Sequence, residues 1–140
     1  FLGDCLDAIQ PRLAEESGSP AAPSESPIDR PPWFTYQGFD LRRLSDPWTV
    51  DYLPQKDDNI TQAEVDLLRA TSTKAAYMWH ALRPNAHSLR LIQILRGKAR
   101  QTFGFDSAMF LESGATTTGY ADLNTNAVIL QSIAHILGPR

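Results

Sequence analysis

Apolar residues recur at helical spacing in several stretches of the chain. The first set has intervals of 4, 3 and 4 residues, which places it on one helix face: Leu2, Leu6, Ile9 and Leu13. Comparable patterns occupy residues 72–82, 87–101 and 124–137. A further helix is predicted to begin at Thr61, because Thr61-Gln62-Ala63-Glu64 fits a capping box. Asn and Thr at 124–126 suit the cap of the last helix.

Two long segments lack this helical spacing. Residues 16–32 hold five of the ten prolines, and the apolar residues that follow them at once predict that the second half packs on a core. Residues 33–52 are rich in aromatic and β-branched residues with turn signals at Gly38 and Asp46-Pro47, so one small β-hairpin is predicted. Residues 103–120, rich in Gly and Thr, are predicted as a loop. Loops this long are uncommon unless they carry a site.

Composition narrows the function classes. The chain has 140 residues, 13 Lys and Arg against 16 Asp and Glu, and a net charge of −3. Nucleic-acid binding is not expected, because it needs clustered basic charge. No apolar run reaches the length of a membrane span. Cys5 and the three histidines do not have the spacing of a metal site, so neither metal nor cofactor is expected.

The chain begins at Phe1, without Met, inside the first predicted helix. A helix that starts without a cap indicates that sequence upstream was removed or belongs to another chain. Simple trimming of the chain at Phe1 is the alternative.

Four ordered segments resemble one bacterial envelope family, the domain-of-unknown-function family DUF3131. They are Ser24-Glu25-Ser26-Pro27-Ile28-Asp29-Arg30-Pro31-Pro32-Trp33-Phe34-Thr35-Tyr36, the helix at 72–82, Asn124-Thr125-Asn126-Ala127-Val128-Ile129-Leu130, and a loop with Phe103-Gly104-Phe105 and Leu111-Glu112. The resemblance covers residues 24–137 and implies the C-terminal half of a larger domain. It also implies a helical toroid of α/α hairpins, a fold found in many carbohydrate-active enzymes. Family members are similar to proteins that accompany the machinery for making, exporting or trimming exopolysaccharide.

The expected fold is therefore mostly α: about half of an α/α-hairpin toroid, with long loops and the small hairpin. We expect three parts: residues 1–15 as the end of a preceding helix, 16–60 as a Pro-rich and aromatic loop region, and 61–140 as the helical C-terminal part. The resemblance implies a periplasmic, cell-surface or extracellular location.

Three loop carboxylates are candidates for catalysis: Glu25, Asp29 and Glu112. Glycoside hydrolysis uses two carboxyl groups across a cleft, about 5–5.5 Å apart in retaining and about 6.5–9.5 Å apart in inverting enzymes. Asp46, Asp51 and Asp122 are lesser candidates. The structural alternative is that Asp29 pairs with Arg30 or caps a turn, and that Glu112 is a solvated charge.

Five residues are candidates for substrate binding: Tyr36, Trp48, Lys74, Asn124 and Asn126. Aromatic rings stack on the apolar faces of sugars, although the loop aromatics, Tyr120 among them, could equally anchor loops to the core. A lysine at a helix N-terminus is electrostatically disfavoured, so Lys74 indicates a nearby carboxylate or an anionic ligand, with a surface lysine as the alternative. Capping does not need all of residues 124–126, which leaves an amide for sugar hydroxyls.

Two functions remain open. The first is glycoside-hydrolase-like chemistry on a bacterial exopolysaccharide. The second is a non-catalytic polysaccharide-binding protein, or a structural subunit of an envelope or filament assembly. Half a toroid leaves apolar helix faces uncovered, so the expected partners are the polysaccharide and either another copy or the N-terminal part of the same precursor.

Overall fold

The computed structural model describes residues 2–40, 42, 47–54, 59–117, 119 and 121–138. This part of the chain forms five helices and seven short strands. The helices are α1 (Leu2–Ser17), α2 (Gln62–Asp66), α3 (Thr73–Leu82), α4 (Ala86–Lys98) and α5 (Leu123–Leu137). The strands are β1 (Ser26–Pro27), β2 (Phe34–Phe39), β3 (Trp48–Tyr52), β4 (Ala70–Ser72), β5 (Arg100–Gln101), β6 (Gly104–Phe105) and β7 (Ala108–Phe110). The sheets are β1-β2-β3, β4-β7 and β5-β6, all antiparallel.

The expected mostly-α toroid is wrong. The structure is 46% helical and 20% strand, with three small sheets among its helices. The main reason lies in residues 103–120, which were expected to be a loop and instead supply β6 and β7. Strand β7 pairs with β4 in the register Ala70↔Phe110, and all six residues of the pair are buried. Burial makes this pairing stable although each strand has only three residues.

The hairpin and the cap of α2 match their predictions, whereas the end of α4 and the cap of α5 differ from theirs. Strands β2 and β3 form the small hairpin, with Phe39 opposite Trp48. Thr61 caps α2 through the expected reciprocal bonds with Glu64. Helix α4 ends at Lys98 rather than at 101, because Arg100 and Gln101 pair with β6. Asp122, not an asparagine, caps α5, since its Oδ1 accepts from Thr125 N at 2.8 Å.

Helix α3 lies at the centre of the described structure. Its first five residues, Thr73 to Tyr77, are all buried, and the helix packs against both α4 and α5. The core cluster on the α4 side contains Ala76, Leu91 and Leu95, each almost fully buried. Because α3 is enclosed by its neighbours, the residues at its N-terminus are held in fixed positions.

The Pro-rich segment is fastened to this core. Ser72 N donates to Ala22 O at 2.8 Å, Thr71 Oγ1 donates to Pro20 O, and Ser107 Oγ donates to Pro27 O at 2.7 Å. These bonds satisfy backbone carbonyls of a segment in which proline, lacking an N–H, cannot donate to a regular ladder. The segment therefore holds Glu25 in a defined place. No helix of the described residues has the length and apolar character needed to cross a bilayer.

His87, near the start of α4, gives the fold an expected pH dependence. Its Nε2 lies 3.3 Å from Ala21 O, and burial lowers the pKa of its imidazole below the usual 6.5. An unfolded histidine titrates at about 6.5, so near this pH the unfolded chain binds a proton that the folded chain does not. The stabilisation is complete above about pH 6.5 and is lost as the pH falls towards the lower folded pKa.

We expect the unfolding free energy, measured by urea titration, to decline between about pH 7.5 and 5.5. The decline should be smaller in His87→Gln than in the wild type. His135→Gln, an exposed position on α5, is the matched control and should follow the wild type. An equal change of the unfolding free energy with pH in all three proteins would contradict the assignment of this pH dependence to His87.

Candidate functional site

A buried lysine joins three distant parts of the chain. Lys74 Nζ donates to Glu25 Oε1 at 3.1 Å and to Asn124 Oδ1 at 2.8 Å. The Lys74 side chain is 9% exposed, whereas that of Glu25 is 53% exposed. We call these three residues the lysine cluster. It brings together a predicted catalytic residue and two predicted substrate-binding residues.

Local structure explains how α3 and α5 present this cluster. Lys74 and Asn124 are each the second residue of a helix, capped by Ser72 and Asp122 respectively. Two helix N-termini therefore meet beside one ammonium group, and both helix dipoles disfavour it. The Glu25 carboxylate offsets that repulsion, so the fold tolerates a lysine at this position.

The start of α3 is also held by hydrogen bonds from Thr73 to residues 106 and 107. Thr73 N donates to Ser107 O at 3.0 Å, and Thr73 Oγ1 donates to Asp106 O at 2.7 Å. Because Thr73 is fixed to the chain leading into β7, the adjacent Lys74 has little freedom to move. A binding group held in this way needs little ordering when a ligand arrives.

Tyr36 lies on the sheet that follows Glu25 in the chain. Ser26, the residue after Glu25, is paired with Thr35, the residue before Tyr36. The Gln37 side chain donates from Nε2 to Ser24 O at 3.2 Å, which ties the segment before Glu25 to β2. Ser26 and Thr35 are buried, whereas Glu25 and Tyr36 are exposed, as the alternation of side chains along strands requires. The Tyr36 ring, 48% exposed, packs edge-on against Phe34.

Asp51 continues this row across the sheet. It is exposed and lies opposite Tyr36 in the pairing of β2 with β3. Adjacent strands are about 4.8 Å apart, so Asp51 and Tyr36 lie side by side on the sheet. The sequence ranked Asp51 as a lesser candidate. The sequence pattern that could have indicated its exposure is the alternation along β3, in which Asp51 follows the apolar and buried Val50.

Asn126 has a structural role. Its Oδ1 accepts from Phe105 N at 2.8 Å, and its Nδ2 donates to Phe105 O and to Asp122 O, both at 3.0 Å. The amide thus bridges α5 to strand β6 and has its main hydrogen-bonding capacity already engaged. Among the described residues, no hydrogen bond joins Asn126 to the lysine cluster, and its predicted role in substrate binding stays a prediction.

Asp29 and Glu112 lie elsewhere. Asp29 accepts two bonds from Arg30, at 2.7 and 3.2 Å, and the Arg30 guanidinium lies 4.3 Å from the centre of the Phe110 ring. The Asp29 hydrogen bond raises the pKa of Arg30. Glu112 is exposed and lines a groove of about 600 Å³ together with Arg30. The three predicted catalytic carboxylates are therefore divided between two places.

Trp48 is 5% exposed and packs with Val50 and Val65 in the core, so its ring is not presented to a ligand in this structure. The sequence signal was the alternation of Trp48 and Val50 along β3. Asp122 serves as the cap of α5. Asp46 and Tyr120 lie outside the described residues.

A cavity of about 890 Å³ lies between α1 and the turn that joins α3 to α4. None of the predicted site residues lines it. One of its walls is Arg83, whose guanidinium is already paired with Asp4 and Asp7. In the described part of the chain, no three His, Cys, Asp or Glu side chains are grouped as a metal ion would need.

The fold and its surface define a small domain of mixed helices and sheets, in which a buried lysine is bonded to an exposed carboxylate and an amide. The family described as a protein of unknown function (DUF3131) matches residues 3–137 of this chain. The chain belongs to that family. No curated protein and no solved structure matches it.

Proposed function

We propose that this chain binds sugar units of a bacterial exopolysaccharide on the surface formed by the lysine cluster and Tyr36. The observation that carries the proposal is the Lys74 ammonium, which holds Glu25 and Asn124 together. The exposed Tyr36 ring lies on β2, next to Thr35, which pairs with Ser26. The envelope resemblance of the family supports the choice of polymer and a periplasmic, cell-surface or extracellular location.

The chemistry of this surface suits a polyhydroxylated ligand. Glu25 uses Oε1 for Lys74, and among the described residues no hydrogen bond engages Oε2. Asn124 uses Oδ1 for Lys74, and in the same part of the chain Nδ2 donates to no protein group. Glu25 Oε2 can accept a hydrogen bond from a sugar hydroxyl, and Asn124 Nδ2 can donate one to its oxygen. The Tyr36 ring supplies apolar area for stacking.

The direct test is binding to a panel of bacterial exopolysaccharides, by affinity electrophoresis and then by calorimetry. The panel should contain neutral, acidic and amino-sugar polymers, because the cluster presents both signs of charge. Binding to at least one polymer supports the proposal. No binding across the panel, by a chain that is folded by circular dichroism, would contradict it.

Tyr36 provides a matched pair of variants. Tyr36→Ala removes the ring and is expected to weaken binding by about tenfold, about 1.4 kcal/mol. Tyr36→Phe keeps the ring and should bind like the wild type. The measurement is the dissociation constant for the polymer identified above. Equal affinity of Tyr36→Ala and the wild type would exclude stacking on Tyr36.

Hydrolysis is the second candidate, and the exposed carboxylates of Glu25 and Asp51 favour it. Inverting glycosidases use two carboxyl groups about 6.5–9.5 Å apart, and these two residues are the pair to test. The assay is release of reducing ends from the polymer that binds. Loss of release in Glu25→Gln and Asp51→Asn, with binding retained, would support hydrolysis. Binding without any release would assign the chain to the non-catalytic alternative.

A further inference from the structure

The loop that joins β1 to β2 exposes a tryptophan. Trp33 is 44% exposed and immediately precedes β2, the strand that carries Tyr36. Its φ is +69°, in the left-handed region, where a bulky residue is a genuine outlier. Such a conformation is strained, and it persists only when the surrounding structure imposes it.

The residues of this loop impose the backbone conformation of Trp33. Trp33 N donates to Arg30 O at 2.7 Å, and Ile28 N donates to Trp33 O at 3.0 Å. Ile28 and Pro32 are almost fully buried, and the Arg30 guanidinium lies over the Phe110 ring. The loop is therefore held to the core on the N-terminal side of Trp33, and the pairing of β2 holds it on the C-terminal side.

The left-handed backbone takes the ring out of the strand alternation. Along β2, Thr35 is buried, whereas Phe34 and Tyr36 lie on the other face with their ring centres 5.2 Å apart. Regular alternation would put residue 33 on the buried face with Thr35. The turn at Trp33 instead leaves much of this side chain in solvent. The fold thus maintains a strained backbone around an exposed tryptophan, although glycine or asparagine adopts this conformation more easily.

The position of Trp33 favours the ligand proposed for Tyr36. Three steps of the chain separate the two residues, so their Cα atoms are at most about 10 Å apart. In the described part of the chain, no ring contact joins Trp33 to Tyr36, so neither ring covers the other. Two separate rings within this reach can stack on different units of one sugar chain, and tryptophan offers the larger apolar area.

We propose that Trp33 is a second stacking position for the polysaccharide, so that the ligand is a chain of several sugar units lying along the start of β2. This inference rests on the proposed function, because it extends the surface that contains Tyr36. Aromatic rings lose little conformational entropy on binding. The second ring therefore adds affinity as soon as a ligand is long enough to reach it, and it adds nothing for a shorter one.

The dependence of affinity on ligand length tests the second position. The probes are oligosaccharides of increasing length, prepared from the polymer that binds the wild type. Calorimetry of the wild type should show a dissociation constant that falls as the oligosaccharide lengthens. In Trp33→Asn this gain should be lost, so that the long oligosaccharides bind about tenfold more weakly and the shortest bind as before.

Two further variants and a stability measurement separate a binding role from a structural one. Asparagine tolerates a positive φ, so Trp33→Asn should unfold at about the same urea concentration as the wild type. Trp33→Tyr keeps a ring and should keep the gain in affinity with length. Phe103→Asn is the matched control, because Phe103 is 94% exposed in the turn between β5 and β6, and it should bind like the wild type at every length.

Acrylamide quenching of tryptophan fluorescence reports on Trp33 itself. A saturating long oligosaccharide should shield the emission of the wild type but not that of Trp33→Tyr, in which only Trp48 and Trp79 emit. Equal shielding in both proteins, or equal affinity of Trp33→Asn and the wild type at every length, would overturn the second position. If Tyr36→Ala still weakens binding in that case, the proposed function stands. Failure of the folded wild type to bind any polymer would instead remove the proposed function, and this inference with it.

Discussion

Replacing Lys74 with methionine is expected to weaken polysaccharide binding by at least tenfold, about 1.4 kcal/mol. Methionine retains most of the apolar stem that fills the buried site and removes only the ammonium. Without it, Glu25 and Asn124 lose the group that holds them together. The measurement is calorimetry with the polymer identified for the wild type.

Stability should change much less than affinity in this variant. Glu25 is more than half exposed, so water solvates its carboxylate when the partner is removed, and the cost is about 1 kcal/mol or less. Lys98→Met is the matched control: Lys98 is exposed, with Nζ 3.4 Å from Gly114 O. Wild-type affinity in Lys74→Met would show that the lysine cluster is not the binding site.

The second large effect is expected at Gly104. Its φ of +140° is a conformation that residues with a Cβ rarely adopt, and an added Cβ would lie 2.5 Å from Asn126 Oδ1. Asn126 cannot move away without breaking its bonds to Phe105. We expect Gly104→Ala to lower the unfolding free energy by about 2–4 kcal/mol, from backbone strain and lost hydrogen bonds.

Gly97→Ala is the control for this substitution. Gly97 lies within α4, and a Cβ there would meet no heavy atom within 4 Å. This variant should gain about 0.5–1 kcal/mol, because alanine is the better helix former. Urea denaturation of both variants measures the difference. Equal unfolding midpoints would mean that Asn126 does not constrain Gly104.

The helix starts and the small hairpin of β2 and β3 could be predicted from the sequence. Thr61 and Glu64 form the predicted capping box, and Ser72 caps α3, because capping depends on residues three positions apart. The pairing of β4 with β7 could not be read in this way. Ala70 and Phe110 are 40 positions apart, and three-residue strands carry too little periodicity to stand out from a loop.

In the candidate site, too, some features could be predicted from local sequence and others depend on distant parts of the chain. Lys74 was singled out because a cation at a helix N-terminus needs an anion, and Glu25 supplies it. Asn126 could not be separated from Asn124 by sequence, since both are amides in the first turn of α5. Only the position of β6 decides that one bonds to Phe105 while the other bonds to Lys74.

The lysine cluster spans sequence separations of 49 and 50 residues. Such a constellation exists only when the chain is fully folded, so a ligand held there binds no unfolded conformation. Thermodynamic linkage then requires that a saturating saccharide raise the melting temperature, with about 2.7 kcal/mol of added stability at 100 times the dissociation constant. Thermal denaturation can therefore rank candidate polymers with unlabelled protein before any affinity is measured.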